Sequence, residues 1–151
     1  MKRLILVAAL VWSGHAWGQD DIYGDGAASD VNVYRDNVVV VLDASGSMSG
    51  KMGGMRKMAA AKKALNTVLK SVSDTTHIGV LVFSASNVKD DWIYPLGPVD
   101  KKKLGAAINR PEPYGGTPLG GYIKQGADRL LKARRAQFGY GTYRLLVVTD
   151  G

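Results

Sequence analysis

The sequence contains no cysteine. That removes disulfides as a stabilising device, and with them thiol catalysis and thiolate metal sites. Histidine is scarce too: only His15 and His77 are present, and His15 falls in a leader-like segment described below. A zinc site built on histidines therefore lacks its ligands. No apolar run reaches the ~20 residues that a membrane-spanning helix needs. Acidic residues are outnumbered, 13 against 20 Lys and Arg, for a formal net charge of +7. Such a balance favours acidic partners or anionic surfaces at long range. It does not by itself indicate nucleic acid, because the basic residues are scattered apart from Lys101-Lys102-Lys103 and Arg134-Arg135.

What is abundant is glycine, at 19 of 151 residues, and many glycines stand beside the polar residues singled out below. The length suits one domain with a sizeable core. Residues 1–18 read as a secretory signal peptide. Lys2 and Arg3 form a positive start, Leu4 to Trp12 is a nine-residue apolar run, and Ala16-Trp17-Gly18 supplies small residues at cleavage-site spacing. Cleavage there removes two positive charges and leaves a mature chain of about +5. Residues 19–35 are rich in Gly, Asp, Ala and Ser and read as an exposed linker. The aspartates at 20, 21, 25 and 30 lack the spacing of an EF-hand loop.

From residue 36 the pattern alternates strands and helices. Val38 to Leu42 is an unbroken β-branched run, suited to a strand covered on both faces. Met58, Ala61, Leu65, Val68 and Val72 make one apolar stripe of a helix beginning near Met55. Met55 and Met58 read as core fillers, whereas Met48 and Met52 read as exposed near the polar turn. Ile78 to Phe83 is a second strand, and Trp92 to Tyr94 a short third one halted by Pro95. Asp100 caps a helix that buries Leu104, Ala107 and Ile108. Thr117-Pro118 opens the next helix, with Leu119, Tyr122, Ile123, Gly126 and Leu130 on one face. Gly120, Gly121 and Gly126 are poor helix formers and suggest close backbone packing there. Leu145 to Val148 is the last strand. The expected architecture is α/β: a doubly wound, mostly parallel sheet with helices on both faces.

In open α/β sheets ligands bind beyond the carboxyl ends of the strands. Three polar clusters lie there: Asp43, Ser45 and Ser47 after the first strand, Thr117 before a helix, and Asp150 after the last strand. All five side chains are hard oxygen donors, suited to Mg²⁺, Mn²⁺ or Ca²⁺ rather than to a soft metal. Alternation along Asp43-Ala44-Ser45-Gly46-Ser47 turns three side chains to one side, and Gly46 allows a tight turn. Taken singly, the serines read as turn residues, Thr117 as a helix cap and Asp150 as part of an Asp-Gly turn. Their joint placement favours a metal site.

These residues carry a family resemblance. Asp43-Ala-Ser45-Gly-Ser47 after an apolar strand resembles the metal-ion-dependent adhesion site of the von Willebrand factor A family. Gly115-Gly116-Thr117-Pro118 resembles that family's second loop, and Thr149-Asp150-Gly151 its third. The resemblance covers about residues 36 to 151, with the final strands and helices of the family fold absent. It implies that Ser45 and Ser47 ligate the ion directly, and that Asp43 and Asp150 act directly or through water. It further implies that Thr117 ligates in a high-affinity state and that a partner carboxylate completes the octahedron. The implied function is metal-dependent protein binding and adhesion by an exported protein, periplasmic or at the cell surface, and not catalysis.

The same residues face three rival readings. A P-loop reading of Ser45 to Lys51 fails, since it needs glycine at Ser45 and a hydroxyl at Met52. A Mg²⁺-dependent phosphohydrolase would use Asp43, but no dedicated lysine or histidine is evident. A structural domain with no active metal site leaves the five-residue set unexplained. His77, at the start of its strand, reads as structural, and the triple lysine as a solvated helix face.

Overall fold

The computed structural model describes residues 34–151. The leader reading of residues 1–18, and all of the linker reading except Tyr34 and Arg35, lie outside the described residues. Strand β1 is Asn37–Asp43, and a 3₁₀ turn, Gly46–Ser49, follows it. A two-stranded hairpin, β2 (Lys51–Met52) and β3 (Met55–Arg56), leads into helix α1, Lys57–Lys70. Then come β4 (His77–Phe83), β5 (Trp92–Pro98), α2 (Lys101–Asn109), α3 (Leu119–Ala136) and β6 (Tyr143–Val148). The main sheet has the order β5-β4-β1-β6. β4 and β6 run parallel to β1, and β5 runs antiparallel to β4.

The register follows from the two-residue period of the strands. Val38, Val40 and Leu42 align with Ile78, Val80 and Val82. This face packs with Met58, Leu65 and Leu69 of α1 and Leu104 and Ile108 of α2. Val41, Leu81 and Phe83 face the other way, with Leu119 and Tyr122 of α3. Each such apolar side chain contributes about 1.5–3 kcal/mol when fully buried, against about 1 kcal/mol net for a hydrogen bond. A one-residue slip would put both sets on the wrong face, so burial fixes the register. The sheet is thus mixed but mostly parallel, with helices on both faces, as expected.

Several details differ from the sequence reading. On α1 the buried residue is Leu69, while Val68 is exposed, because the stripe follows the 3.6-residue period through Met58, Leu65 and Leu69. Met48 is buried in the core, whereas Met55 is 41% exposed in the hairpin, the reverse of the expectation for these two. The helix starts two residues after Met55, so Met55 never joins its buried face. Pro95 does not halt β5. An edge strand can leave a proline unpaired, and the pairing jumps from Val80–Tyr94 to Ile78–Gly97 across an irregularity. Of the three α3 glycines only Gly126 is needed for close packing. A Cβ there would sit 2.8 Å from Leu145 Cδ1, while Gly120 and Gly121 face open space. Asp100 does cap α2, accepting from the Lys103 amide at 3.0 Å. Among the described residues no helix is long and apolar enough to cross a membrane.

Candidate metal centre

The parallel pairing of β4, β1 and β6 brings their carboxyl ends side by side. Asp43 ends β1 and is fully buried, as is Ser45 two residues on. Asp43 Oδ1 accepts the Ser45 amide at 2.7 Å, and Oδ2 accepts the Thr149 hydroxyl from the end of β6 at 2.7 Å. The Ser45 and Ser47 hydroxyls lie 3.0 Å apart. Ser47 Oγ donates to Asp150 Oδ1 at 2.9 Å, and Lys57 Nζ to Asp150 Oδ2 at 2.6 Å. Asp43, Ser45, Ser47 and Asp150 are therefore joined by short contacts, although Asp43 and Asp150 are far apart in sequence. The Lys57 ammonium, and secondarily the Ser47 hydroxyl, hold the Asp150 carboxyl below its ordinary pKa.

The second loop is docked on the first by backbone. The Gly46 amide donates to Gly115 O at 2.9 Å, and the Tyr114 amide to Ala44 O at 2.7 Å. Gly115 holds a left-handed φ of 75°, which favours glycine. Gly46 needs no such freedom; it begins the 3₁₀ turn, and its part is the amide contact. Thr117 lies exposed two residues beyond Gly115, and its hydroxyl is not among the hydrogen-bonded groups of this set. Nor does it cap α3. The helix begins at Leu119, Pro118 holds the cap position, and there is no side-chain cap.

The donor chemistry fits a hard divalent cation. Four oxygen-bearing side chains meet, two of them carboxylates, and Ser47 opens to solvent. Among the described residues no three Asp, Glu or His side chains converge. The remaining ligands would have to be hydroxyls and waters, as Mg²⁺ commonly tolerates. Two site residues escape the sequence reading. Thr149 stands in the third loop beside Asp150 and locks Asp43. Lys57 lies off the apolar stripe of its helix and is not singled out by the sequence reading. Its signal is local: a lysine in the first turn of a helix opposes the macrodipole, and so calls for a nearby anion. His77, at the far end of β4, bonds Arg35 at 2.8 Å and is structural, as expected. The triple lysine is exposed, with Lys101 and Lys103 paired to Asp74 and Asp100.

A mostly parallel open sheet with three loops gathered at its carboxyl edge defines an α/β domain. A family profile sharpens this: residues 38–151 match the von Willebrand factor type A domain, and the chain belongs to that family. Domains of this family commonly mediate protein interactions. The chain is similar to mouse inter-alpha-trypsin inhibitor heavy chain 4, 28% identical over 130 residues, covering 83% of this chain and 13% of the mouse protein. It is also similar to the uncharacterized protein YwmD of Bacillus subtilis, 32% identical over 94 residues, covering 55% of this chain and 42% of that protein. The chain thus spans less than half the length of either relative.

Proposed function

We propose that this chain is a divalent-metal-dependent protein-binding module of an exported protein. Asp43, Ser45, Ser47, Thr117 and Asp150 would hold Mg²⁺, or Mn²⁺ or Ca²⁺, and the partner would contribute an acidic residue. The observation that carries this reading is the joined set of Asp43, Ser45, Ser47 and Asp150 at the carboxyl ends of adjacent strands. A bound ion supplies attraction for a partner carboxylate in a partly desolvated cleft. Thr117 is exposed on a loop whose neighbours Tyr114 and Gly115 are docked on the first loop, and in this reading its hydroxyl joins the set when the ion binds. Met52 and Tyr114, 65% and 68% exposed, flank the loops and offer the methionine and aromatic surface that interfaces favour. The basic mature chain steers acidic partners inward.

The phosphohydrolase reading is weakened by burial. Asp43, its candidate nucleophile, has no exposed surface and both oxygens hydrogen-bonded. The lysine that reading lacked in sequence exists as Lys57, but it is paired to Asp150. The basic start and apolar run of residues 1–18 support export, and N-terminal sequencing of the mature protein should find a start near Gln19.

The test is Mn²⁺ titration of the chain with Asp43→Asn, followed by capture of surface or envelope proteins with and without EDTA. The substituted side chain keeps a carbonyl oxygen that can accept the Ser45 amide, so the loop is kept while a charge is lost. We expect Mn²⁺ affinity to fall about 100-fold, roughly 2.7 kcal/mol. We expect capture to vanish in EDTA, and Thr117→Ala to weaken capture more than Mn²⁺ binding. Unchanged Mn²⁺ affinity in the D43N variant would sink the site assignment, and capture that survives EDTA would remove the ion from the contact.

A further inference from the structure

Beyond the five donors, the candidate site contains a positive charge of its own. Lys57 Nζ lies 2.6 Å from Asp150 Oδ2, with the lysine side chain 30% exposed and the aspartate 10%. The two carboxylates are thereby made unequal. Asp43 accepts only from neutral donors, the Ser45 amide and the Thr149 hydroxyl. Asp150 accepts from one neutral donor, Ser47, and one cation. Lys57 therefore offsets one of the two negative charges that would attract a divalent ion.

The placement is built. Lys57 is the first residue of α1, and its amide donates to Gly50 O at 2.8 Å. A Cβ on Gly50 would stand 3.1 Å from Ser47 O, so that glycine fits closely against the serine turn, with the Lys57 stem at ordinary contact distance beyond it. No acidic residue occupies the first turn of α1. The lysine thus sits against the helix dipole, and Asp150 is the anion that compensates. Lys62, further along the helix, is drawn elsewhere, to Asn109 O and Glu112.

We propose that Lys57 sets the charge of the metal site, weakening its hold on the divalent ion while leaving the loaded site net positive toward a partner carboxylate. The proposal rests on the metal-binding reading above. Its logic is Coulombic. A dication, two carboxylates and one ammonium sum to a single positive charge; without the ammonium they sum to zero. One group thus pushes two binding events in opposite directions: it opposes entry of the cation and favours arrival of the anion. A lysine that merely supported the loop would, on removal, weaken both.

The experiment uses the whole chain, Mn²⁺ as the ion and acetate as the carboxylate probe. Free Mn²⁺ is followed by electron paramagnetic resonance, and acetate entry by the water-proton relaxivity of bound Mn²⁺. K57M keeps the aliphatic stem and removes the charge, and K57R keeps the charge. We expect K57M to bind Mn²⁺ about tenfold tighter and acetate at the loaded site several-fold more weakly, with K57R close to the native chain. Mn²⁺ affinity in K57M equal to or below the native value overturns the proposal while the metal reading stands, and so does an unaltered acetate response. Absence of Mn²⁺ uptake by the native chain overturns the metal reading, and the proposal with it.

Discussion

Asp36 and Asp43 stand at the two ends of the same strand, and each meets a threonine at the matching end of β6. Thr142 Oγ1 donates to Asp36 Oδ1 and Thr149 Oγ1 to Asp43 Oδ2, both at 2.7 Å. The parallel register of β1 on β6 makes the two pairs equivalent. What surrounds them is not. At the amino end the polar groups close mainly on backbone. The Thr142 amide also donates to Asp36, the Asn37 amide group to Gln137 at 2.8 Å, and Gln137 in turn to the carbonyls of Arg35 and Tyr140. At the carboxyl end the contacts pass instead through hydroxyls to a second carboxylate and an ammonium. Hydroxyls keep spare lone pairs and carboxylates keep charge. The two ends thus share a scaffold but differ in chemistry: the amino end is bonded mainly to backbone, whereas the carboxyl end gathers hydroxyls, a second carboxylate and an ammonium.

The largest effect is expected at the amino end. Gly141 has φ of 83°, and a Cβ there would collide with the Arg35 carbonyl oxygen. Gly141→Ala combines left-handed strain with a backbone clash, so we expect a loss of roughly 2–4 kcal/mol in denaturant unfolding. Mn²⁺ affinity of the folded fraction should be unchanged. A Mn²⁺ defect in that variant would mean that the two ends are not independent.

The matched threonines give a finer cut. Thr142→Val and Thr149→Val each remove one hydroxyl donor to a carboxylate. Each should cost about 1–2 kcal/mol of stability. Only Thr149→Val should also alter Mn²⁺ affinity, by several-fold, because it frees Asp43 Oδ2. Equal Mn²⁺ titrations for the two variants would argue that Asp43 plays no part in ion binding.

The smallest effect concerns pH. Burial, and then the Arg35 charge, lower the His77 pKa below 6.5. The unfolded chain therefore takes up the His77 proton before the folded one does. The stability held by neutral His77 is present above pH 6.5 and is lost as pH falls toward the lower folded value. Replacing His77 with Gln should flatten the stability profile in that acidic window by at most one proton. A profile as steep as that of the native chain would assign the acid sensitivity to other groups.

Much of this is legible in the residues. Val38 to Leu42 carries no polar position because both faces of β1 are buried, so the run itself announces a central strand. Asp43, Ser45, Ser47 and Asp150 can be grouped because strand ends and ligand loops coincide in open α/β sheets. Other features depend on neighbours that periodicity cannot see. Met48 has the surroundings of a loop residue, and only the fold of the 3₁₀ turn drops it into the core. Pro95 has the form of a stop, and only its place on an edge strand makes it harmless. Lys57 is one of several lysines off the apolar stripe of its helix, and only the docking of β6 brings Asp150 to it.

By itself the sequence determined the main strands and helices, the oxygen character of the candidate donors, and the lack of thiols and of a histidine-built zinc site. These follow from local pattern and from which side chains exist. Only the tertiary structure decided that Asp43 is locked by Thr149, that Ser47 spans to Asp150, and that a lysine balances one carboxylate. Those contacts join residues 106, 103 and 93 positions apart. Their distances are set by sheet register and helix docking, which are fixed by burial summed over the whole core and not by any local stretch of chain.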